Sequence, residues 1–304
     1  MATLKEIKTK MSSVKGIEQV TRAMKMVATV KLRRAQEAIL QARPYAYRIK
    51  DLINNCIPKI EIDINPLLAV REPSKFCVVV VTSDRGLCGS FNTNILNRSV
   101  NIIDSYGREN TSVIAVGRKA RDFFTNRNYD LLAAYTGFSK ELRFEHAVGI
   151  TDTITSQYLS HDLDWVDVVY HEFKSAVKQD LIAERFLPLT GGDPRDDFLP
   201  GMKDKKGKEK EEVSVGISGE MLFEPSVEEV VNAIVPKYLN VQMWRILLES
   251  LASEQGARMT AMDNATESAN EMIDDLQLSY NKARQSSITR ELLDIVGGAE
   301  ALKG

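Results

Sequence analysis

Apolar residues recur every three or four positions at both ends of the chain. This spacing predicts two long helices, each with a narrow apolar seam typical of coiled coils rather than a broad globular face. The N-terminal seam comprises Leu4, Ile7, Met11, Val14, Ile17, Val20, Met24, Val27, Lys31, Ala35, Ala38, Ala42 and Tyr45. The C-terminal seam comprises Leu248, Leu251, Met259, Met262, Ala265, Ala269, Ile273, Leu276, Tyr280 and Ala283.

The middle of the chain, residues 74–190, has continuous apolar runs instead. The stretches KFCVVVV, SVIAV, WVDVVYHEF and RFLPL are typical of buried strands, and they alternate with helical patterns. Such an alternation predicts a central α/β domain, Rossmann-like, with a mostly parallel sheet. The fold class is therefore α/β, with a long antiparallel coiled coil of the N- and C-terminal helices added to it.

These patterns divide the chain into four segments. They are an N-terminal helix (1–57), the central domain (74–190), a linker (191–225) and a C-terminal helix (226–304). Ser226 is a good N-cap for the last helix. The run of lysines and glutamates at 203–212 is typical of a solvated loop, with contact to another chain as the alternative.

Charge supports a pairing of the two helices. Residues 1–50 carry twelve Lys/Arg and three Glu, whereas residues 226–304 carry seven Lys/Arg and twelve Asp/Glu. At about 1.5 Å per residue, the helices would measure roughly 75 Å and 100 Å. Aligned where they leave the central domain, the first ends opposite about residue 280. The stretch NKARQSSITRELLDI, residues 281–295, would then face another molecule with its polar groups.

The loop TSDRGLCGSFN, residues 82–92, is the best candidate for chemistry because it follows a strand of an α/β sheet. It matches neither common phosphate-binding motif. The simpler interpretation is a tight turn in which Gly86 and Gly89 supply unusual backbone angles. Cys88 is either a buried structural residue or, beside Arg85, a reactive thiol.

Other chemistry finds little support. The three cysteines, Cys56, Cys77 and Cys88, lack metal spacing and favour reduced thiols. The three histidines show neither metal nor catalytic spacing, so we expect no catalytic residue, no metal and no cofactor. The basic helix lacks interleaved aromatic residues, which argues against nucleic-acid binding. The N-terminus has no apolar signal region, and no apolar run is long enough to span a membrane.

Three stretches together resemble the gamma subunits of F-type ATP synthases. They are VTRAMKMVATVKLRRA near the N-terminus, TSDRGLCGSFN after the first strand, and the C-terminal stretch from ESLASEQGARMTAMDNATESANEMI to LQLSYNKARQSSITRELLDIVGGAEAL. Residues 193–215 match least well. The resemblance implies a central rotor shaft that couples proton flow through a membrane c-ring to ATP synthesis or hydrolysis in the alpha and beta subunits. It also implies regulation of ATPase activity and of proton flow.

The same resemblance implies contact residues. Arg284, Gln285, Thr289, Glu291, Met24 and Lys25 would meet the beta subunit. Leu292, Leu293, Val296 and Leu302 would turn inside an apolar sleeve of alpha and beta. Met221 and Phe223 would contact the epsilon subunit and the c-ring.

One copy per complex is expected, held peripherally through the c-ring on the cytoplasmic face of a bacterial inner membrane. The chloroplast cysteine insert is missing, so no thiol switch is expected. Three alternatives remain: a coiled-coil structural adaptor without motor function, an enzyme using residues 84–88, and an RNA-binding arm.

Overall fold

The computed structural model describes residues 3–56, 65–69, 71–138, 141–189, 224 and 226–301. The predicted contact residues Met221, Phe223 and Leu302 and the charged run 203–212 lie outside these residues. The elements in chain order are α1 (Leu4–Cys56), β1 (Phe76–Val81), α2 (Phe91–Tyr106), a 3-10 turn (Arg108–Asn110), β2 (Thr111–Val116), α3 (Arg118–Asn126), β3 (Leu131–Tyr135), α4 (Phe144–Leu159), β4 (Trp165–Phe173), β5 (Gln179–Leu187) and α5 (Val227–Ala301).

The five strands form one mixed sheet in the order β3-β2-β1-β4-β5. The pairs β1–β2, β1–β4 and β2–β3 are parallel, and β4–β5 is antiparallel. The predicted α/β class is therefore confirmed. The sequence reading missed β3, a short edge strand whose residues are only partly buried. It also placed the start of β5 too late, because the strand begins at Gln179 with two polar residues and its first five residues are only partly buried.

The chain forms two compact units. The helix-pair unit contains Met1–Lys31 and Arg258–Gly304, and the sheet unit contains Leu32–Ala257. Each long helix contributes residues to both units. The units therefore divide within α1 and α5, and not at the segment boundaries 57 and 226 drawn from the sequence.

The sheet unit has an apolar layer on each face of the sheet. One layer joins the strands to α4 and to the parts of α1 and α5 in this unit, through residues such as Ile49, Ile154 and Met243. The other joins the strands to α2 and α3 through residues such as Ile95 and Phe124. Because both faces are covered, β1 is apolar throughout rather than alternating, and residues 77–81 are all buried.

Within the helix-pair unit, α1 and α5 run antiparallel. The Lys25 ammonium lies 2.5 Å from the Asp263 carboxylate, and the Thr266 hydroxyl donates to the Thr21 hydroxyl at 2.8 Å. Moving toward the start of α1 thus moves toward the end of α5. The predicted antiparallel direction is correct for this unit.

The predicted N-terminal seam is wrong at several positions from Ile17 onward, although Ala35 is buried as predicted. Ile17, Val20 and Val27 are each more than half exposed, and so is Tyr45 further along α1. The other buried positions among the described residues of this part of α1 are Thr21, Ala28, Leu32, Ile39, Ala46, Ile49 and Ile53. A helix has 3.6 residues per turn, so steps of three and of four residues both stay close to one face. More than one series of such steps can therefore be drawn through the same helix. The sequence offered two apolar series here, and packing selected the other.

The C-terminal helix follows its prediction more closely. Met262 and Ala269 are buried, and Ile273, Leu276 and Tyr280 are half-buried. The Glu229 backbone N–H donates to the Ser226 hydroxyl at 3.2 Å, so the predicted N-cap is present.

His171 of β4 provides a pH-dependent element of stability. Its side chain is 5% exposed, and neither ring nitrogen has a hydrogen-bond partner among the described residues. The ring packs 4.9 Å from the Phe91 ring. Burial lowers the pKa of His171 below its usual value, because the imidazolium would lose its hydration.

We therefore expect the chain to lose stability as pH falls below about 6.5. In this range the histidine binds a proton in the unfolded chain, whereas His171 in the folded chain stays neutral. The loss should be at most about 1.4 kcal/mol per pH unit. Urea unfolding at pH 7.5 and 5.5 measures it, with His171→Leu expected to flatten the dependence. His161→Asn, at an exposed turn, should retain it. An equal pH dependence in His171→Leu would contradict this role.

Candidate partner-binding surface

The last part of α5 extends beyond the start of α1. Thr266 lies opposite Thr21, so Leu4, the first residue of α1, corresponds to about residue 283 on α5. Ser287 is the last half-buried position, and every residue from 288 to 299 is exposed. We call residues 288–301 the overhang. The position opposite the start of α1, about residue 283, agrees with the alignment predicted near residue 280, and the overhang begins about one helical turn beyond it.

The four predicted polar contact residues of α5 lie on or just before the overhang, and all are exposed. The Thr289 hydroxyl donates to the Gln285 carbonyl at 3.0 Å, and the Ser287 hydroxyl donates to the Glu291 carboxylate at 3.3 Å. Arg284 has no hydrogen bond or ion pair with any other described residue. Its guanidinium is therefore available for a planar acceptor such as a carboxylate.

The predicted apolar contact residues are exposed as well. Leu292 is 57% exposed, Leu293 66% and Val296 60%. The sequence reading missed Ile288 and Ile295, which are also exposed and belong to the same stretch. Their spacing of three to four residues from the other three could have identified them. Five large apolar side chains within nine residues form a patch of the kind that marks an interaction site.

Met24 and Lys25 lie apart from this patch. Met24 is half-buried, and Lys25 is engaged by Asp263. Asp263 is 21 residues before Arg284 on α5, or about 30 Å along the helix. The structure therefore does not bring the two predicted groups of beta contacts together.

A second apolar surface lies on the outside of α1. Ile17, Val20, Val27 and Val30 are each more than half exposed. The sequence reading assigned the first three to the seam and so did not recognise a surface here. Together with the overhang, this stripe makes the helix-pair unit rich in uncovered apolar surface.

The loop at residues 82–92 is used within the sheet unit. The buried Asp84 carboxylate accepts hydrogen bonds from the backbone N–H groups of Arg118 at 3.0 Å and Gly137 at 3.1 Å. The N-terminus of a helix is a common binding site for anions. At α3 this position is taken by the Asp84 carboxylate of the chain itself. The loop thus holds together the connections that follow β1, β2 and β3.

The sulfur of Cys88 is also internal. Cys88 is 1% exposed, and the Asn92 side-chain amide donates to its sulfur at 3.2 Å. Gly89 adopts a positive φ of 58°, as predicted, whereas the neighbouring positive φ of 63° falls on Leu87 rather than Gly86. The buried sulfur favours the structural interpretation of Cys88 over a reactive thiol.

The described residues show little sign of a ligand site. A cavity of about 30 Å³ lies at the carboxyl ends of β1 and β2, beneath Leu247, Ser250 and Glu254 of α5. Ligand pockets are usually ten or more times larger, at roughly 300–1,000 Å³. No group of three or more His, Cys, Asp or Glu in the described residues could hold a metal ion. No described helix is long and apolar enough to cross a membrane.

Comparison with known proteins gives matches over nearly the whole chain. The family model described as ATP synthase matches residues 3–302. A relative from Chloroherpeton thalassium, called ATP synthase gamma chain, is 46% identical over 100% of this chain and 99% of its own length. One of the same name from Chlorobaculum tepidum is 44% identical over 100% of both chains.

Solved structures give the same picture of the fold. A chain from the central stalk and c-ring of the Tetrahymena thermophila mitochondrial ATP synthase has a TM-score of 0.58 at 26% identity. The match covers 81% of this chain and 99% of that one. A chain from the Euglena gracilis mitochondrial ATP synthase has a TM-score of 0.68 at 21% identity, covering 98% and 94%.

Proposed function

The chain belongs to the ATP synthase gamma-chain family, and from this premise we propose that it is the central-stalk rotor of a proton-translocating ATP synthase. The family match confirms the resemblance carried by the sequence motifs. As rotor, the chain turns with a c-ring and couples proton flow to ATP synthesis or hydrolysis in a head of alpha and beta subunits. The chain supplies no catalytic group, and its rotation regulates ATPase activity and proton flow.

The exposed overhang is the observation that carries this proposal. A helix end with five exposed large apolar side chains requires a covering partner, since such a patch is rare on monomeric proteins. An apolar sleeve of alpha and beta covers Leu292, Leu293 and Val296, and Leu302 continues it. Arg284, Gln285, Thr289 and Glu291 contact beta, and Met24 and Lys25 lie near beta further along the shaft.

The polar character of the proposed beta contacts on α5 suits a rotating shaft. A shaft meets three chemically identical partners at successive angles, and broad apolar docking at one angle would hold it there. Exposed ion pairs contribute only about 0–1 kcal/mol each, so they can be exchanged as the shaft turns. Torque then arises from the asymmetric shape of the stiff helices.

The remaining partners follow from the same role. The epsilon subunit and the c-ring contact the chain through Met221 and Phe223. One copy is present per complex. The chain is held peripherally, through the c-ring, on the cytoplasmic face of a bacterial inner membrane.

Hydrolysis of MgATP by matched alpha and beta subunits, with and without this chain, tests the proposal. We expect the chain alone to be inactive, to form one complex with alpha and beta on a sizing column, and to change their turnover. Assembly without any change in turnover would favour a structural adaptor instead. Failure to assemble at all would contradict the rotor role.

Arg284→Ala should weaken ATP synthesis in assembled complexes while leaving the fold intact, because an exposed guanidinium contributes to a partner and not to the core. We expect a loss of up to about 1 kcal/mol, or roughly five-fold. Lys282→Ala, two residues away and also exposed, is the matched control and should have a smaller effect. Unchanged synthesis in assembled Arg284→Ala complexes would remove Arg284 from the partner surface.

A further inference from the structure

Arg245 of α5 is joined to strands β4 and β5 by directional polar contacts. Its guanidinium donates to the Glu184 carboxylate at 2.8 Å and to the Tyr170 hydroxyl at 3.3 Å. The Tyr170 hydroxyl donates in turn to Glu184 at 3.1 Å. Tyr170 is 1% exposed and Glu184 6% exposed. A helix residue, a β4 residue and a β5 residue therefore share one buried hydrogen-bonded cluster.

Two further contacts join α5 to the β4–β5 hairpin. The Ser253 hydroxyl donates to the His171 carbonyl at 3.1 Å, about 12 Å further along the helix from Arg245. One turn later, α5 lies so close to Ala176 that a Cβ on Gly256 would meet its carbonyl oxygen at 3.2 Å. The hairpin therefore contacts α5 at three levels along its axis.

These contacts resist a motion that apolar packing resists poorly. Apolar burial is non-directional, so it opposes separation of a helix from a sheet more strongly than rotation of the helix about its axis. Hydrogen bonds to charged groups have a preferred angle and distance, and they are about twice as strong as neutral ones. The Arg245 cluster therefore fixes the rotational setting of α5 on the sheet.

We propose that Arg245, Glu184, Tyr170 and Ser253, which we call the shaft clamp, transmit torque between the sheet unit and α5. This inference rests on the proposed rotor function. A rotor that receives torque through its α/β domain must pass it to the helix that reaches the head. Because α5 is a single helix from Val227 to Ala301, torque on α5 at Arg245 is carried along the helix itself. Arg245 and Glu184 are thus positioning residues for coupling.

The sheet unit contains a matched pair that lies outside the clamp. The Arg185 guanidinium lies 2.6 Å from the Asp167 carboxylate, which is 1% exposed. This pair joins β4 to β5 and has the same chemistry as Arg245 with Glu184. The Asp167 carboxylate also accepts a hydrogen bond from the Tyr106 hydroxyl of α2 at 2.7 Å, so this pair serves to separate an effect on torque from an effect on the stability of the domain.

The test uses the assembled complex of alpha, beta and this chain, with the head fixed to a surface. A bead is attached to the exposed Thr125→Cys position on α3, in a Cys56→Ser background where Cys77 and Cys88 are buried. The angular variance of the bead during pauses reports the torsional stiffness of the path from the sheet unit to the head.

For Glu184→Gln we expect the angular variance to rise by roughly two-fold, because the Arg245 guanidinium loses its ionised acceptor and keeps only a neutral amide oxygen. Ser253→Ala should raise it as well, and it provides a second reading if Glu184→Gln assembles poorly. Asp167→Asn should lower the unfolding midpoint of the chain and leave the variance unchanged.

A variance equal to wild type in both Glu184→Gln and Ser253→Ala would overturn the inference. An equal increase of the angular variance in Asp167→Asn would also overturn it, because the shaft clamp would then contribute no more to torsional stiffness than the Asp167–Arg185 pair. A wild-type complex that does not rotate would overturn the rotor function itself. Rotation with unchanged variance would overturn the clamp alone.

Discussion

Gly117→Ala is expected to destabilise the sheet unit strongly. Gly117 lies between β2 and α3 with φ of 96°, where L-residues are strained. A Cβ there would lie 2.3 Å from the carbonyl oxygen of Thr82 and 2.7 Å from its carbonyl carbon. The obstacle is backbone at the end of β1, which cannot rotate away as a side chain could.

The cost combines backbone strain of about 1–3 kcal/mol with displacement of β1 or β2. Since whole domains are stable by only about 5–15 kcal/mol, we expect a loss of roughly 3–5 kcal/mol. Urea unfolding of the isolated chain measures it.

Gly137→Ala is the matched control for this prediction. Gly137 has a nearly identical φ of 97°, yet a Cβ there would have nothing within 4 Å. It should therefore show the backbone strain without the collision. Equal losses of stability in the two variants would show that the close approach of Gly117 to Thr82 is unimportant.

Arg185→Met is expected to destabilise the chain by about 3–5 kcal/mol at neutral pH, because it leaves the Asp167 carboxylate buried without its cation. Asp167 accepts a hydrogen bond from the Tyr106 hydroxyl at 2.7 Å, but this bond does not neutralise its charge. The Arg185 guanidinium also stacks 3.6 Å over the Trp165 ring, so part of the loss is packing. The midpoint of urea unfolding reports the total.

The electrostatic part of this loss should depend on pH. Burial raises the pKa of Asp167 above its usual value, and Arg185 opposes that rise. Without Arg185 the folded-state pKa rises further above the unfolded value of about 3.9. The folded state then favours the protonated acid, so the variant loses stability as pH rises through that folded-state pKa.

We therefore expect a smaller difference from wild type at pH 5 than at pH 8. The double variant Asp167→Asn with Arg185→Met has no buried charge left at this position, and its stability should not share that dependence. A destabilisation of Arg185→Met that is constant between pH 5 and pH 8 would mean that packing against Trp165, and not the uncompensated charge, dominates.

The sequence determined the elements whose signals are local. A buried strand such as β1 needs apolar side chains on both faces, so its continuous run of valines was sufficient to predict it. The Ser226 cap and the seam around Met262 and Ala269 were predictable for the same reason: each depends on neighbours within a turn or two of helix. The overhang followed from the lengths of the two helices.

Other features depend on which surfaces meet across the fold. The α1 sequence carries one apolar series through Val20 and Val27 and another through Ala28 and Leu32, and only packing buried the second. Gly117 was unrecognised because its constraint comes from Thr82, 35 residues away. The shaft clamp joins Arg245 to Glu184, 61 residues apart. Periodicity and propensity report a residue's own neighbourhood, whereas these contacts are fixed by the sheet order and by the path of α5 across it.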